Sequence, residues 1–503
     1  MSEVALKLPD RYDPILSRER ATSVVLSALL CTVVVIGFLI LSGQFWHWFI
    51  IPVLLCGIVI GIDAVDWLRG RLNILDPVGL LGLLGLHVFF LAPLLHVYWG
   101  FWMRYVTPPP DWRGWLGGMA VLNFCGLNIY RLCRDCPLGR VGGTTKRISG
   151  QIGPRFPFVL GLAMAVSALL QAWVYQQYGG LSGYVATYEA RLWAFRGMGW
   201  LFTISESFPI LGMMGFAVYA RRRKALRNWL VVLPVLLGFF LLQLLFGGLR
   251  GSRSNTVYAL FWAMGIVHFW VRPWSKKTAL VGVGLLVVFM YMYGLYKGAG
   301  SRAVAALTST EDRSALVEET GRTLPRVLLT DLGRADVQAF LLYRLMRPDR
   351  DYQYAWGRTY LATALMLVPK SVWPDRPPGK IKEGTEALFG MGTYIPDVFQ
   401  ALRVYGVAGE AMLNFGPLAV PISFVLLGIV VRRVRRWLMV WPAFDPRLLL
   451  LPYLINLCWV VLIGDSDNVA FYLIKYGTVP LFVVLLGSKW RVMQETDQET
   501  TAT

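Results

Sequence analysis

Apolar runs of about 20 residues alternate along the chain with short polar gaps. A helix that crosses about 30 Å of hydrocarbon needs roughly 20 apolar residues. By that ruler spans fall near 21–42, 46–66, 77–99, 113–132, 157–176 and 198–220. Six more fall near 228–247, 254–271, 278–296, 410–431, 448–463 and 469–487. The pattern predicts an all-α polytopic membrane protein of about 12 transmembrane helices. Residues 1–296 carry helices 1–9, 297–409 form a large loop, 410–487 carry helices 10–12, and 488–503 form a tail. The loop holds charges of both signs over about 110 residues, too many to stay structureless, so short helices packed on the bundle are expected. Within it YLATALMLVP (Tyr360 to Pro369) is apolar but too short to span, and reads as re-entrant or buried. The polar end QETDQETTAT reads as disordered.

Charge changes the picture by supplying an orientation. If the N-terminus lies inside, the inner gaps hold Arg69 and Arg71, then Arg131, Arg134, Arg140, Lys146 and Arg147, then RRRKALR from Arg221. Arg272, Lys276 and Lys277 follow, then RRVRR from Arg432, then Lys489 and Arg491. Outer short gaps carry few cations. This positive-inside pattern predicts both termini in the cytoplasm and the large loop outside, in the periplasm of a bacterial inner membrane. The net charge of +19 would point to nucleic acid in a soluble chain, but here it sits in the inner gaps. Composition agrees: 56% of residues are hydrophobic, and the 16% that are charged fall well below the roughly 25% of soluble domains. The first apolar run follows some twenty polar residues and ends in LSGQFW without a small-x-small site, so it reads as an uncleaved span. Six cysteines form no disulfide framework, and Cys133 with Cys136 lacks the second pair or histidine of a zinc site. His47, His87, His96 and His268 have no metal-ligand spacing and are expected to be satisfied within the bundle. No Walker loop, dinucleotide fingerprint or nucleophile elbow occurs in its required context.

Five outer segments carry candidate chemistry. FGGLRGSRSN places Arg250 and Arg253 at a glycine-rich helix start, where amides and guanidiniums together suit a diphosphate. The alternative is snorkelling to lipid headgroups. YGGLSGYVATYEARLWAFRGMG offers Glu189, Arg191 and Arg196 among aromatic rings, a mixture suited to carbohydrate or equally to an interfacial helix. VPKSVWPDRPPGK fixes its backbone with four prolines and holds Lys370, Asp375 and Arg376 around Trp373, either to position a charged substrate or as a stiff connector. Glu410 and Asn414, at i and i+4, share one helix face at the expected start of helix 10. Glu410 is thus a partner for arginines or a general base. Asp465 and Asp467 in IGDSDN are a second base candidate or caps for the last helix.

The ordered set of segments resembles the Wzy-type O-antigen and exopolysaccharide polymerases. The likeness rests on ILDPVGLLGLLGLHVFFLAPL, YGGLSGYVATYEAR, GSRSNTVYAL, and VPKSVWPDRPP followed by GVAGEAMLNFGPL, with the helix number and late large loop. The resemblance implies a GT-C-like membrane glycosyltransferase acting on undecaprenyl-diphosphate-linked oligosaccharides at the periplasmic face. It would use no nucleotide sugar, metal or other cofactor, with a chain-length regulator and a flippase as conceivable partners. By position, Arg253 would match the family's Gly-x-Arg arginine, and Lys370, Asp375 and Arg376 its Pro-Arg-x-x-Trp-Pro-x-Lys-Pro stretch. Lysine and arginine exchange places there, which keeps charge but not the guanidinium fork. On this reading Arg253, Arg250 and one of Arg191 or Arg376 would stabilise the leaving diphosphate, and Glu410 or Asp465 would take the acceptor proton. The loop lacks the histidine of O-antigen ligases, and the chain lacks the internal repeats common in transporters. A ligase and a flippase or exporter of lipid-linked oligosaccharide are the rival readings. The candidate segments are expected to converge on one external pocket.

Overall fold

The computed structural model describes residues 14–136, 147–190, 198–250, 253–299, 309–321, 323–368, 372–373, 376–396 and 398–493. The terminal QETDQETTAT, together with Arg140 and Lys146 of the basic gaps, lies outside them. The described chain is overwhelmingly helical, and eight of its helices are long and apolar enough to cross a membrane. They are Ala21–Leu41, Ile50–Leu68, Pro77–Trp99, Phe156–Gln177, Gly199–Ala220, Trp229–Phe246, Lys276–Tyr296 and Ser466–Gly487. The protein is therefore a multi-pass membrane protein. Among the described residues the only sheet is one antiparallel pair, Arg147–Ile152 with Ser488–Met493, which the apolar pattern did not reveal.

Four further expected spans are not among these eight. Residues 113–132 belong to Trp112–Asp135, whose one buried stripe and charged ends mark it as amphipathic. Residues 254–271 form Arg253–Ile266 continued by a π turn, Val267–Val271. Residues 448–463 hold the end of a 3-10 turn, Pro446–Leu449, and the 13-residue helix Leu451–Ile463. The stretch 410–431 is two helices, Gly406–Phe415 and Ala419–Val440, broken at Gly416. Gly416 has φ +85°, and a Cβ there would stand 2.9 Å from the Tyr354 ring, so both turn and packing exclude a side chain.

The chain divides into two compact units. The first comprises Met1–Cys136, Thr323–Met439 and Leu457–Ala470. Its centre is the helix Ile50–Leu68, packed against Pro14–Leu41, Pro77–Leu86 and Trp112–Asp135. The repeated glycines of GLLGLLG face that helix. A Cβ on Gly82 would lie 2.5 Å from the Ala64 backbone nitrogen, so the two backbones touch as small-residue stripes permit in membranes. Gly82→Val should cost at least ~2 kcal/mol by forcing the helices apart, read as a lowered thermal midpoint in detergent.

Several cations read as orientation signals are also ion-pair partners in this unit. Arg134 binds buried Asp63 at 2.5 Å, Arg71 binds Asp66 at 3.1 Å, and Arg435 binds Asp76 at 3.1 Å. Asp76 also caps the helix beginning at Pro77 through the Val78 amide.

The long polar segment does fold into short helices, as its length required. They include Thr310–Thr320, Ala335–Met346, Arg358–Ala364 and Lys380–Phe389. Ala335–Met346 is largely buried and packs on Trp112–Asp135. Of the two forms expected for the apolar Tyr360 stretch, re-entrant or buried, full burial is excluded, since Leu361 and Leu367 are exposed.

The second unit comprises Pro137–Arg322, Val440–Asn456 and Phe471–Thr503. Its helix Phe156–Gln177 packs on both parts of Gly199–Ala220, and Trp229–Phe246 packs on Arg253–Ile266.

Candidate functional site

The richest buried polar network lies in the first unit, where the break after Gly406–Phe415 and the turn before Ser466–Gly487 meet. Glu410 is only 2% exposed. Its Oε1 accepts from the Thr359 hydroxyl at 2.7 Å and the Ser466 hydroxyl at 2.6 Å, and its Oε2 accepts from the Ser466 amide at 2.5 Å. Glu410 thus caps the last helix from a distance of 56 residues along the chain. Asn414, one turn on, donates to the Thr359 hydroxyl at 2.7 Å and accepts from the Gly357 amide at 2.9 Å. The two residues expected to share a face do so, on a short helix ahead of the apolar one.

Asp465 does not supply the side-chain cap expected of it. Its Oδ1 accepts the Tyr405 and Gly406 amides at 2.9 and 2.8 Å, and its Oδ2 is held by Lys380. Lys380 also reaches Asp467 at 3.2 Å. Burial opposes the ammonium charge, but the two carboxylates outweigh it and hold Lys380 above its ordinary pKa. Burial pushes the Asp465 carboxyl up, against the pull of Lys380 and the Tyr405 amide, and its bonds make it an anchor for the Tyr405–Gly406 turn. Glu410 is held instead by two hydroxyls and one amide. Its burial, then the nearby negative charge of Asp465, push its carboxyl up to about 7, against the pull of the Ser466 and Thr359 bonds. Glu410 therefore has a proton affinity matched to neutral pH.

The network has a route outward. Thr363, half-buried on the helix Arg358–Ala364, shares a hydrogen bond of 2.8 Å with the Ser466 hydroxyl. With Ser466 donating to Glu410, Thr363 is the donor to Ser466. The chain Thr363–Ser466–Glu410 can therefore pass a proton inward without exposing the carboxylate. Alongside it, Glu383 accepts from Arg358 at 2.9 Å and from the Tyr352 hydroxyl at 2.9 Å. Sequence reasoning missed Thr359, Thr363, Ser466 and Glu383. It also passed over Lys380, the last residue of the proline-rich motif.

Of the remaining candidates, Arg376 donates to the Val368 carbonyl at 3.0 Å and closes the proline turn, while Trp373 is exposed. Arg253 opens its helix and Arg250 ends a 3-10 turn in the second unit, as expected of a helix-start segment. The side chains of Arg250, Arg253 and Glu189, and the whole of Arg191, Arg196, Lys370 and Asp375, lie outside the described residues. The expected convergence of the segments on one pocket depends on those residues. Each histidine is bonded: His87 to the Leu328 carbonyl at 2.9 Å, His96 to the Phe101 carbonyl at 2.8 Å, His268 to the Trp274 amide at 3.0 Å and His47 to Asp111 at 3.1 Å.

A separate polar centre occupies the second unit. Lys475, on the helix Ser466–Gly487, and Glu206, in the turn between Gly199–Ser205 and Phe208–Ala220, are almost wholly buried and pair at 2.7 Å. Gln243, Trp262 and Tyr476 line the cavity beside them, which offers a water's centre about 20 Å³. That is room for one or two waters and not for a sugar ring, so the pair serves the packing of its unit. Lys475→Ala should destabilise the protein by about 3–5 kcal/mol by stranding the glutamate, measured as loss of the folded peak on heating in detergent.

No protein-family model, curated protein or solved structure matches the chain.

Proposed function

We propose that the chain is a membrane glycosyltransferase that polymerises undecaprenyl-diphosphate-linked oligosaccharide repeat units into O-antigen or exopolysaccharide. In this reading it is a GT-C-like bundle of about 12 spans in a bacterial inner membrane, with its active site on the periplasmic face. The observation that supports it best is the Thr363–Ser466–Glu410 chain, which ends on a buried carboxyl poised near neutrality. Glycosyl transfer to a hydroxyl needs such a base. The acceptor oxygen attacks the anomeric carbon while the bond to the diphosphate breaks and its electron pair leaves with the phosphate. The acceptor proton passes to Thr363, that of Thr363 to Ser466, and that of Ser466 to Glu410. Arg253 with Arg250, and one of Arg191 or Arg376, would face the departing diphosphate, where charge-assisted bonds contribute about 1.5–3 kcal/mol each. Lys370, Trp373 and Asp375 would help hold the substrate, whereas Asn414, fully buried, positions Thr359 and the Gly357 turn.

The test is to place purified protein in liposomes with lipid-linked repeat units already on the accessible face. Elongation without translocation supports the polymerase. Translocation without elongation would show a flippase instead, and transfer of chains onto a lipid A-type acceptor would show a ligase.

A further inference from the structure

One feature of the first unit is absorbed by none of this chemistry: Trp356 stands 71% exposed with φ +47°, a left-handed conformation that a bulky L-residue avoids. Such a conformation persists only where the surroundings dictate it. Here the surroundings are the end of the Glu410 helix. The Ala355 and Trp356 amides donate to the carbonyls of Leu413 and Asn414 at 3.0 and 2.9 Å, and the Gly357 amide to the Asn414 side chain at 2.9 Å. The turn thus satisfies carbonyls that the helix end leaves open. It also throws the indole outward among other rings. Tyr354 and Phe415 meet it edge-on at 6.1 and 6.3 Å, and Tyr360 stacks on Phe415 at 6.3 Å. Arg350 bonds the Tyr354 hydroxyl at 2.8 Å, and the exposed Arg358 is aligned by Glu383.

We infer that Tyr354, Trp356, Tyr360 and Phe415, rimmed by Arg350 and Arg358, form a carbohydrate-stacking subsite for the acceptor oligosaccharide. Sugar rings present C–H faces to aromatic planes and hydroxyls to guanidinium donors, and this patch offers both. A bilayer anchor requires only that a ring sit at the right depth, which a relaxed backbone provides. A sugar platform requires a fixed ring plane, which the strained turn and two edge-on neighbours supply. The acceptor is the sugar in question because the turn is bonded to Asn414, on the same helix face as the proposed base. The inference rests on the glycosyltransferase reading above.

The experiment uses the full chain in lipid nanodiscs. The probe is the repeat-unit oligosaccharide freed of lipid by mild acid from the producing cell's lipid-linked pool. Wild type should bind it, Trp356→Phe should bind within about threefold, and Trp356→Ala and Tyr360→Ala should bind at least about tenfold more weakly. The emission of Trp356, taken as wild type minus Trp356→Phe, should be insensitive to brominated phosphatidylcholine. Unchanged binding by both alanine variants, or quenching of Trp356 by the brominated lipid, would overturn the subsite, the latter in favour of a membrane anchor. Elongation by wild type that both alanine variants match would sink the subsite and leave the polymerase standing. Binding without elongation would do the reverse, and neither binding nor elongation would sink both.

Discussion

Glu410→Gln should abolish elongation, lowering its rate by about 10²–10⁴-fold, the usual contribution of a general base. The wild-type rate should rise with pH through about 7, since only the ionised carboxyl can accept the proton. Ser466→Ala, which cuts the relay and removes a bond that pulls the carboxyl down, should lower the rate and move that limb to higher pH. The same residue contributes to stability in the opposite sense. Folded Glu410 holds its proton up to about 7, whereas the unfolded side chain releases it near 4.5. Its contribution is therefore fully present below pH 4.5 and is lost as pH rises to about 7. Thermal midpoints of wild type should fall across that window more than those of Glu410→Gln.

The second large effect is expected at the other end of the bond that breaks. Arg253→Ala should reduce elongation by about 10²–10³-fold, the loss typical of removing one fixed donor from a developing negative charge. Arg253→Lys should recover only part of it, because an ammonium keeps the charge but not the two-pronged geometry. Rates measured on the same reconstituted units decide the matter. Near-wild-type elongation by Arg253→Ala would remove this arginine from the leaving-group role.

The membrane class and most spans were legible because hydropathy over some 20 residues reports directly on lipid solvation. What hydropathy cannot see is backbone direction. The run 410–431 is continuous in apolar character, yet Gly416 turns it at φ +85° and separates the Glu410 helix from the apolar one. The spacing of Glu410 and Asn414 was readable from helical geometry. Their partners Ser466 and Thr359 were not, being neutral hydroxyls 56 and 51 residues from Glu410 with no pattern to single them out. Asp465 looked like a cap because it directly precedes a helix, but the ion pair with Lys380 and two amides claimed its carboxylate. Glu206 and Lys475 were visible as charges inside apolar runs, which signals pairing. Trp356 carried no sequence signal, since nothing about WGR announces a positive φ.

The most direct measurement of the account is the ionisation of Glu410 itself, followed by infrared difference spectroscopy of wild type against Glu410→Gln in nanodiscs. The predicted result is a protonated carboxyl band that is present at pH 5 and disappears with a midpoint near 7. A carboxylate already ionised at pH 5, titrating near the ordinary glutamate value of about 4.3, would contradict it.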